Sequence, residues 1–110
     1  MEVPVENLIG QEGAGFKYII DGMNAERILI ASECIGDGKF FVDRASAYAR
    51  DRSVFGRPIG ENQGVQFPIA RAHVQVMAAS LMVDHAARLF EAGEPCGSEA
   101  NMAKMTASEA

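Results

Sequence analysis

The chain is 110 residues long, 48% hydrophobic and 23% charged, the make-up of one ordinary folded domain. Ten basic against fifteen acidic residues leave a net charge of -5, which argues against nucleic-acid binding through bulk charge, although Arg50, Arg52 and Arg57 leave a local cationic site open. No apolar run approaches the roughly 20 residues needed to cross a bilayer, and the acidic opening has no basic leader, so the sequence predicts a cytoplasmic protein without a membrane span. A chain of this size buries somewhat under about 70% of its unfolded surface, so partner chains or a further domain would matter to its stability. Cys34 and Cys96 lack metal-type spacing and are predicted to be free thiols.

Val3-Pro4-Val5 reads as a short β-type segment that passes into a turn at Glu6-Asn7, and Gly10, Gly13 and Gly15 punctuate the approach to a helix. Phe16, Ile20, Met23, Ile30, Cys34, Phe41, Ala45 and Tyr48 recur at spacings of three and four or their sums, which predicts one helix from about Gly15 to about Arg50 with this stripe inward. Such a helix would exceed about 50 Å, a length that suits a bundle. Gly36 and Gly38 interrupt it at roughly 1 kcal/mol each relative to Ala, and read as weak spots or close helix contacts.

The connector Arg52 to Gln63 is too polar and too rich in Gly and Pro to be core. Pro58, Gly60 and Asn62 separate the helices, and Asn62 is a natural N-cap for the second. That helix carries Phe67, Ala70, Val74, Met77 and Leu81 on one stripe and Ile69, Val76, Val83 and Phe90 on another, which predicts burial on more than one side. Pro68 is expected to kink its first turns or delay its start, and Gly93 with Pro95 stops it. Ser98 is positioned to cap a third helix with Glu99 in its first turn, continued by Met102, Met105 and Thr106. That pattern reaches Ala110 without a stop signal, so the sequence is expected to be a piece of something longer. Short connections between long helices make the predicted fold all-α: an antiparallel up-down helical bundle with a short extended N-terminal segment.

Two places carry chemistry. Arg27 falls on the first helix's apolar stripe, where a charge needs a partner, and Glu26 lies at its edge with the missing side chain of Gly22 leaving room at i-4. A carboxylate beside apolar surface can act as a base; the plainer reading is a solvated Glu26 and an Arg27 paired with a distant carboxylate. In the connector, Arg52 suits phosphate, Phe55 can stack on a ring and the Gln63 amide can both donate and accept, a set that could hold a nucleotide-like ligand. The plainer reading there is a loop whose Phe55 packs back on the bundle. Dinucleotide and Walker loops are absent, as is any Glu-x-x-His for a di-iron bundle. His73 and His85 read as surface or packing residues, and Met77, Met82, Met102 and Met105 as core filling.

Several segments resemble the acyl-CoA dehydrogenases in order and spacing. They are Val-Pro-Val-Glu-Asn-Leu-Ile-Gly-Gln-Glu-Gly-Ala-Gly-Phe-Lys from Val3, Asn-Ala-Glu-Arg-Ile from Asn24, Tyr-Ala-Arg-Asp-Arg-Ser-Val-Phe-Gly-Arg-Pro-Ile from Tyr48, and Asn-Gln-Gly-Val-Gln-Phe from Asn62. Ala-Asn-Met-Ala-Lys-Met from Ala100 resembles the family's Ala-Lys segment. The most specific element is Arg-x-x-Phe-Gly-x-Pro-Ile with a Gln seven residues after the Gly.

The resemblance implies a three-domain flavoenzyme in which residues 1–12 are the end of the middle β domain and its linker, and 13–110 are three helices of an incomplete C-terminal four-helix bundle. It implies FAD as cofactor, α,β-dehydrogenation of an acyl-CoA thioester, an electron-transferring flavoprotein as acceptor and a homo-oligomer, dimer or tetramer. By position, Arg52, Phe55 and Gln63 resemble residues that reach the partner subunit's FAD, with Arg52 near its pyrophosphate, and Ile59 and Asn62 fall near the same cofactor contact; Val54 departs from the hydroxyl residue some relatives use there. Glu26 occupies the position of the catalytic base of the isovaleryl and long-chain types, with Arg27 and Met23 beside it in the substrate pocket. Most relatives take the base from a later loop; with a glutamate there, Glu26 would instead shape the acyl pocket. Two other readings stay open: a helical oligomerisation and flavin-contact module without catalysis, and a relative with other flavin-dependent oxidation chemistry. The isolated chain is expected to be inactive.

Overall fold

The computed structural model describes residues 2–110; Met1, the first residue of the predicted 1–12 segment, lies outside them. Three helices dominate: α1 (Gly15–Asp51), α2 (Gln63–Glu91) and α3 (Gly97–Glu109). Proline is absent from Gly15 to Asp51, and neither Gly36 nor Gly38 breaks α1, which runs about 56 Å. It stops where Arg52 turns extended at φ -75 and ψ 112 while its N–H still bonds the Tyr48 carbonyl. Helix α2 begins at Gln63, so Pro68 does not delay its start. Its end is a Schellman motif: Gly93 adopts φ +70, the Gly93 N–H bonds the Phe90 carbonyl and the Glu94 N–H bonds the Leu89 carbonyl. Cys96, not Ser98, occupies the N-cap position of α3, and no side chain caps it; Ser98 is its second helical residue.

The predicted strand at Val3 to Val5 does not form. Val5–Asn7 is a 3-10 turn after an extended Pro4, and among the described residues the only ladder lies in the connector. A strand needs an edge to pair with, and this segment has none beside it. It is fastened instead to α1, where the Gln11 N–H donates to the Tyr18 hydroxyl at 3.1 Å and Gly10, at φ +74, lies so close to the Tyr18 ring that a Cβ would overlap it.

All three helices pack on one another through small residues. Ile28, Ala31 and Ile35 of α1 meet Val76, Ala79, Val83 and Ala86 of α2 and Ala100, Ala103 and Ala107 of α3, with Cys96 closing one end; Cys34 and Cys96 are free thiols. Alanines let helix axes approach closely, so α3, about 20 Å long, lies in the groove between two longer helices. The result is elongated, 75 × 31 × 18 Å, with a radius of gyration of 21.0 Å against about 13 Å for a compact chain of this length.

The buried faces differ from the predicted ones. Of the α1 stripe, Phe16, Met23, Ile30, Phe41, Ala45 and Tyr48 are exposed and Ile20 and Cys34 are half-buried. On α2, Val76 and Val83 of the second stripe are buried, Ile69 is half-buried and Phe90 is exposed, whereas Phe67, Ala70, Val74, Met77 and Leu81 are all exposed, Leu81 to 69%, so burial is one-sided in this chain. Met82 alone among the predicted core methionines packs against the core, where its sulfur accepts a bond from the Thr106 hydroxyl at 3.5 Å. The physical reason is that the shared seam is selected by closeness of fit, which favours Ala and Gly, while the larger apolar groups lie on faces these helices do not cover.

Gly36 and Gly38 now separate. A Cβ on Gly38 would lie 2.6 Å from Val76 Cγ2, whereas one on Gly36 meets nothing within 4 Å. Val76 is β-branched and cannot swing aside, so Gly38→Ala should lower the urea midpoint, overpacking of about 1–3 kcal/mol exceeding a helix-propensity gain of about 1 kcal/mol. Gly36→Ala should raise it. Equal midpoint shifts for the two variants would contradict the close contact.

Candidate functional site

The connector is a small, braced hairpin. Strand β1 (Ser53–Val54) pairs antiparallel with β2 (Arg57–Pro58), Ser53 opposite Pro58 and Val54 opposite Arg57. This leaves Phe55-Gly56 at the tip with φ 51 and 79, both left-handed as a type I′ turn requires. Glycine adopts that conformation freely; for a bulky residue it costs on the order of 1–3 kcal/mol. The ring gains no packing in return, since Phe55 is 101% exposed. The plainer sequence reading, in which Phe55 packs back on the bundle, therefore does not hold.

Beneath the tip, the Ile59 N–H bonds the Arg52 carbonyl at 2.8 Å. Asn62 stands at the N-cap position of α2, but its side chain does not cap the helix: Oδ1 accepts from Arg57 Nη2 at 2.9 Å and Nδ2 donates to the Ile59 carbonyl at 3.0 Å. Gln66 Nε2 donates to the Gly60 carbonyl at 2.7 Å, and Gly60 lies so near α1 that a Cβ would come within 2.9 Å of the Ala49 carbonyl oxygen. Arg52 and Gln63 are exposed at the two feet of the hairpin, and Ile59 and Asn62 are half-buried behind it. One end of the molecule thus presents a guanidinium, a bare aromatic face and a primary amide. That donor set fits a flavin dinucleotide, which offers a diphosphate to the cation and ring surfaces to the aromatic.

Glu26 is elsewhere. It precedes Arg52 by 26 residues of continuous helix, about 39 Å along the axis, and is exposed, with open space at Gly22. Arg27 is half-buried, and the partner of its Nη1 is the Asn24 amide oxygen at 3.1 Å, in place of the carboxylate expected for a stripe charge. Met23 is 37% exposed beside them. The structure therefore groups Arg52, Phe55, Ile59, Asn62 and Gln63 in one connector and Met23, Glu26 and Arg27 on another part of α1. His73 and His85 are exposed.

In the sequence Arg57 stood out only as part of a cationic cluster with Arg50 and Arg52, and Gln66, near the start of α2, did not stand out. Their signal was weak: Gly56 after an aromatic marks a turn with positive φ, and Arg57 and Gln66 are polar side chains within reach of Asn62 in sequence.

Residues 13–110 match the family model described as acyl-CoA dehydrogenase, C-terminal domain, and the chain belongs to that family. It is 44% identical over 109 residues to an acyl-CoA dehydrogenase of Bacillus subtilis, covering 99% of this chain and 29% of that one. The solved structure of butyryl-CoA dehydrogenase from Megasphaera elsdenii superposes with a TM-score of 0.90 at 34% identity, over 97% of this chain and 28% of that chain. The FAD complex of PigA superposes with a TM-score of 0.88 at 27% identity, again over 97% of this chain and 28% of the other. The chain spans less than a third of the length of these relatives. Among the described residues no helix is long and apolar enough to cross a membrane.

Proposed function

We propose that the chain is part of an FAD-dependent acyl-CoA dehydrogenase, in which residues 1–12 end the middle β domain and its linker and 13–110 form three helices of the C-terminal bundle. The observation that carries this reading is the connector: a strained hairpin holding a bare Phe55 ring, flanked by Arg52 and Gln63, away from its own bundle. A ring held in that way serves something outside its own chain. Arg52, Phe55 and Gln63 hold the partner subunit's FAD, Arg52 at the pyrophosphate, with Ile59 and Asn62 behind them.

FAD, when bound, supplies the acceptor for the hydride leaving Cβ of the acyl thioester. Glu26 takes the α proton, so that the two departing hydrogens leave a Cα=Cβ double bond. Met23 and Arg27 line the pocket beside it, and the remainder of the wall that shields Glu26 comes from outside these helices. The separation of about 39 Å between Glu26 and the connector of one chain supports a reading in which the two serve different sites of a homo-oligomer. An electron-transferring flavoprotein takes the electrons onward, and the enzyme works in the cytoplasm.

The test is flavin retention. The full-length enzyme should purify yellow, Phe55→Ala and Arg52→Met should each weaken FAD binding by about ten-fold, and the isolated 110-residue chain should bind no flavin and turn over no acyl-CoA. Unaltered FAD affinity in both variants would refute the connector's role.

A further inference from the structure

We propose that Arg57, Asn62 and Gln66 form a brace that preorganises the hairpin, so that Arg57 and Gln66 are positioning residues for the flavin contact and Asn62 acts through the brace as well. This rests on the proposed flavin contact at Phe55 and goes beyond it by assigning the residues that hold Phe55 in place.

A two-residue ladder is too short to be stable in water, and its tip carries a left-handed phenylalanine that favours opening. Something must oppose that tendency. The candidates are one bond from the hairpin, Arg57 Nη2 to Asn62 Oδ1 at 2.9 Å, and two that fix the turn following it, Asn62 Nδ2 to the Ile59 carbonyl at 3.0 Å and Gln66 Nε2 to the Gly60 carbonyl at 2.7 Å. The first draws the second strand toward the start of α2. The second closes the 3-10 turn of Ile59–Glu61, and the third ties that turn to the second turn of α2. Asn62 is the hub, since its side-chain oxygen and nitrogen each meet a different part of the connector, and its backbone carbonyl receives the Val65 and Gln66 N–H groups. Gly60 seated against the Ala49 carbonyl fixes the other side on α1. With the hairpin held, no ordering of the loop is left for the moment of binding, and the ring is presented already in place.

The brace makes Arg57's contribution conditional on Phe55. In the full-length enzyme, Arg57→Met should weaken FAD binding by about five- to ten-fold, leave kcat at saturating FAD within about two-fold, and be partly restored by Arg57→Lys. In a Phe55→Ala background the same substitution should change FAD affinity by less than about two-fold, since no ring remains to be positioned. In the flavin-free enzyme, amide exchange over residues 53–62 should quicken about ten-fold in Arg57→Met while the α2 core at Val76 to Val83 keeps its protection. An additive loss in the Phe55→Ala background would mean that Arg57 touches the cofactor itself and would overturn the brace. Unchanged exchange and affinity in Arg57→Met would overturn it too and leave the flavin contact standing. Full FAD affinity in Phe55→Ala alone would sink the underlying contact.

Discussion

Glu26→Gln in the full-length enzyme is expected to lower kcat for acyl-CoA dehydrogenation by about 10³-fold, within the range that removing a general base produces. The amide keeps the size and shape of the carboxylate, and position 26 is exposed on α1, so the variant should fold and retain FAD. Steady-state kinetics with a saturating acyl-CoA and measured flavin content per subunit separate the two effects. A loss confined to kcat with normal flavin content places the base on α1. Near-normal kcat would instead assign the base to a later loop and leave Glu26 as a pocket residue.

Mixing a base-deficient variant with a flavin-deficient one should restore activity when no FAD is added to the assay. One chain carries Glu26→Gln with an intact connector, and the other carries Arg52→Met and Phe55→Ala with an intact Glu26. Under the proposed arrangement each site of a symmetric dimer takes its base from one subunit and its flavin clamp from the other, so the mixed dimer contains one site in which both are native. Random pairing in equal amounts predicts roughly a quarter of wild-type activity, since about half the dimers are mixed and each has one working site of two. Recovery should appear on co-expression and be absent when separately assembled homo-oligomers are combined without exchange. No recovery in verified mixed dimers would show that base and connector serve the same site, against the distance of about 39 Å that helix α1 imposes.

Much of the architecture was legible in the sequence because long helices advertise themselves through periodicity and uninterrupted length. The span of α1, the stop at Gly93 and the break at the connector needed nothing more. What periodicity could not show was which face would be buried. Phe16, Phe41 and Leu81 weigh heavily in any apolar pattern, yet the seam runs through Ala31, Gly38, Ala79, Ala100 and Ala103, whose contribution comes from letting helices approach. The cap residues failed for another reason. Asn62 was correctly located before α2, but its side chain bonds Arg57 and the Ile59 carbonyl instead of the helix N–H groups, two of which bond its backbone carbonyl. The connector divides in the same way: the residue types at Arg52, Phe55 and Gln63 suggested a nucleotide-like ligand and only the family resemblance made it FAD, whereas the hairpin was invisible because Phe-Gly lacks the Asn or Asp that usually marks a type I′ turn.

Helix α1 is the ruler of this arrangement as well as its scaffold. A loop between two working groups tolerates an added or lost residue by bulging, but a continuous helix does not: each residue inserted between Glu26 and Arg52 advances one end by about 1.5 Å and turns it by about 100° against the other. An insertion of one residue would therefore swing the hairpin to a different side of the bundle while leaving every side chain of both proposed sites intact. Length between these two positions is then as restrictive as residue identity, and single-residue insertions or deletions along Arg27 to Asp51 should be harder to accommodate than most point substitutions there.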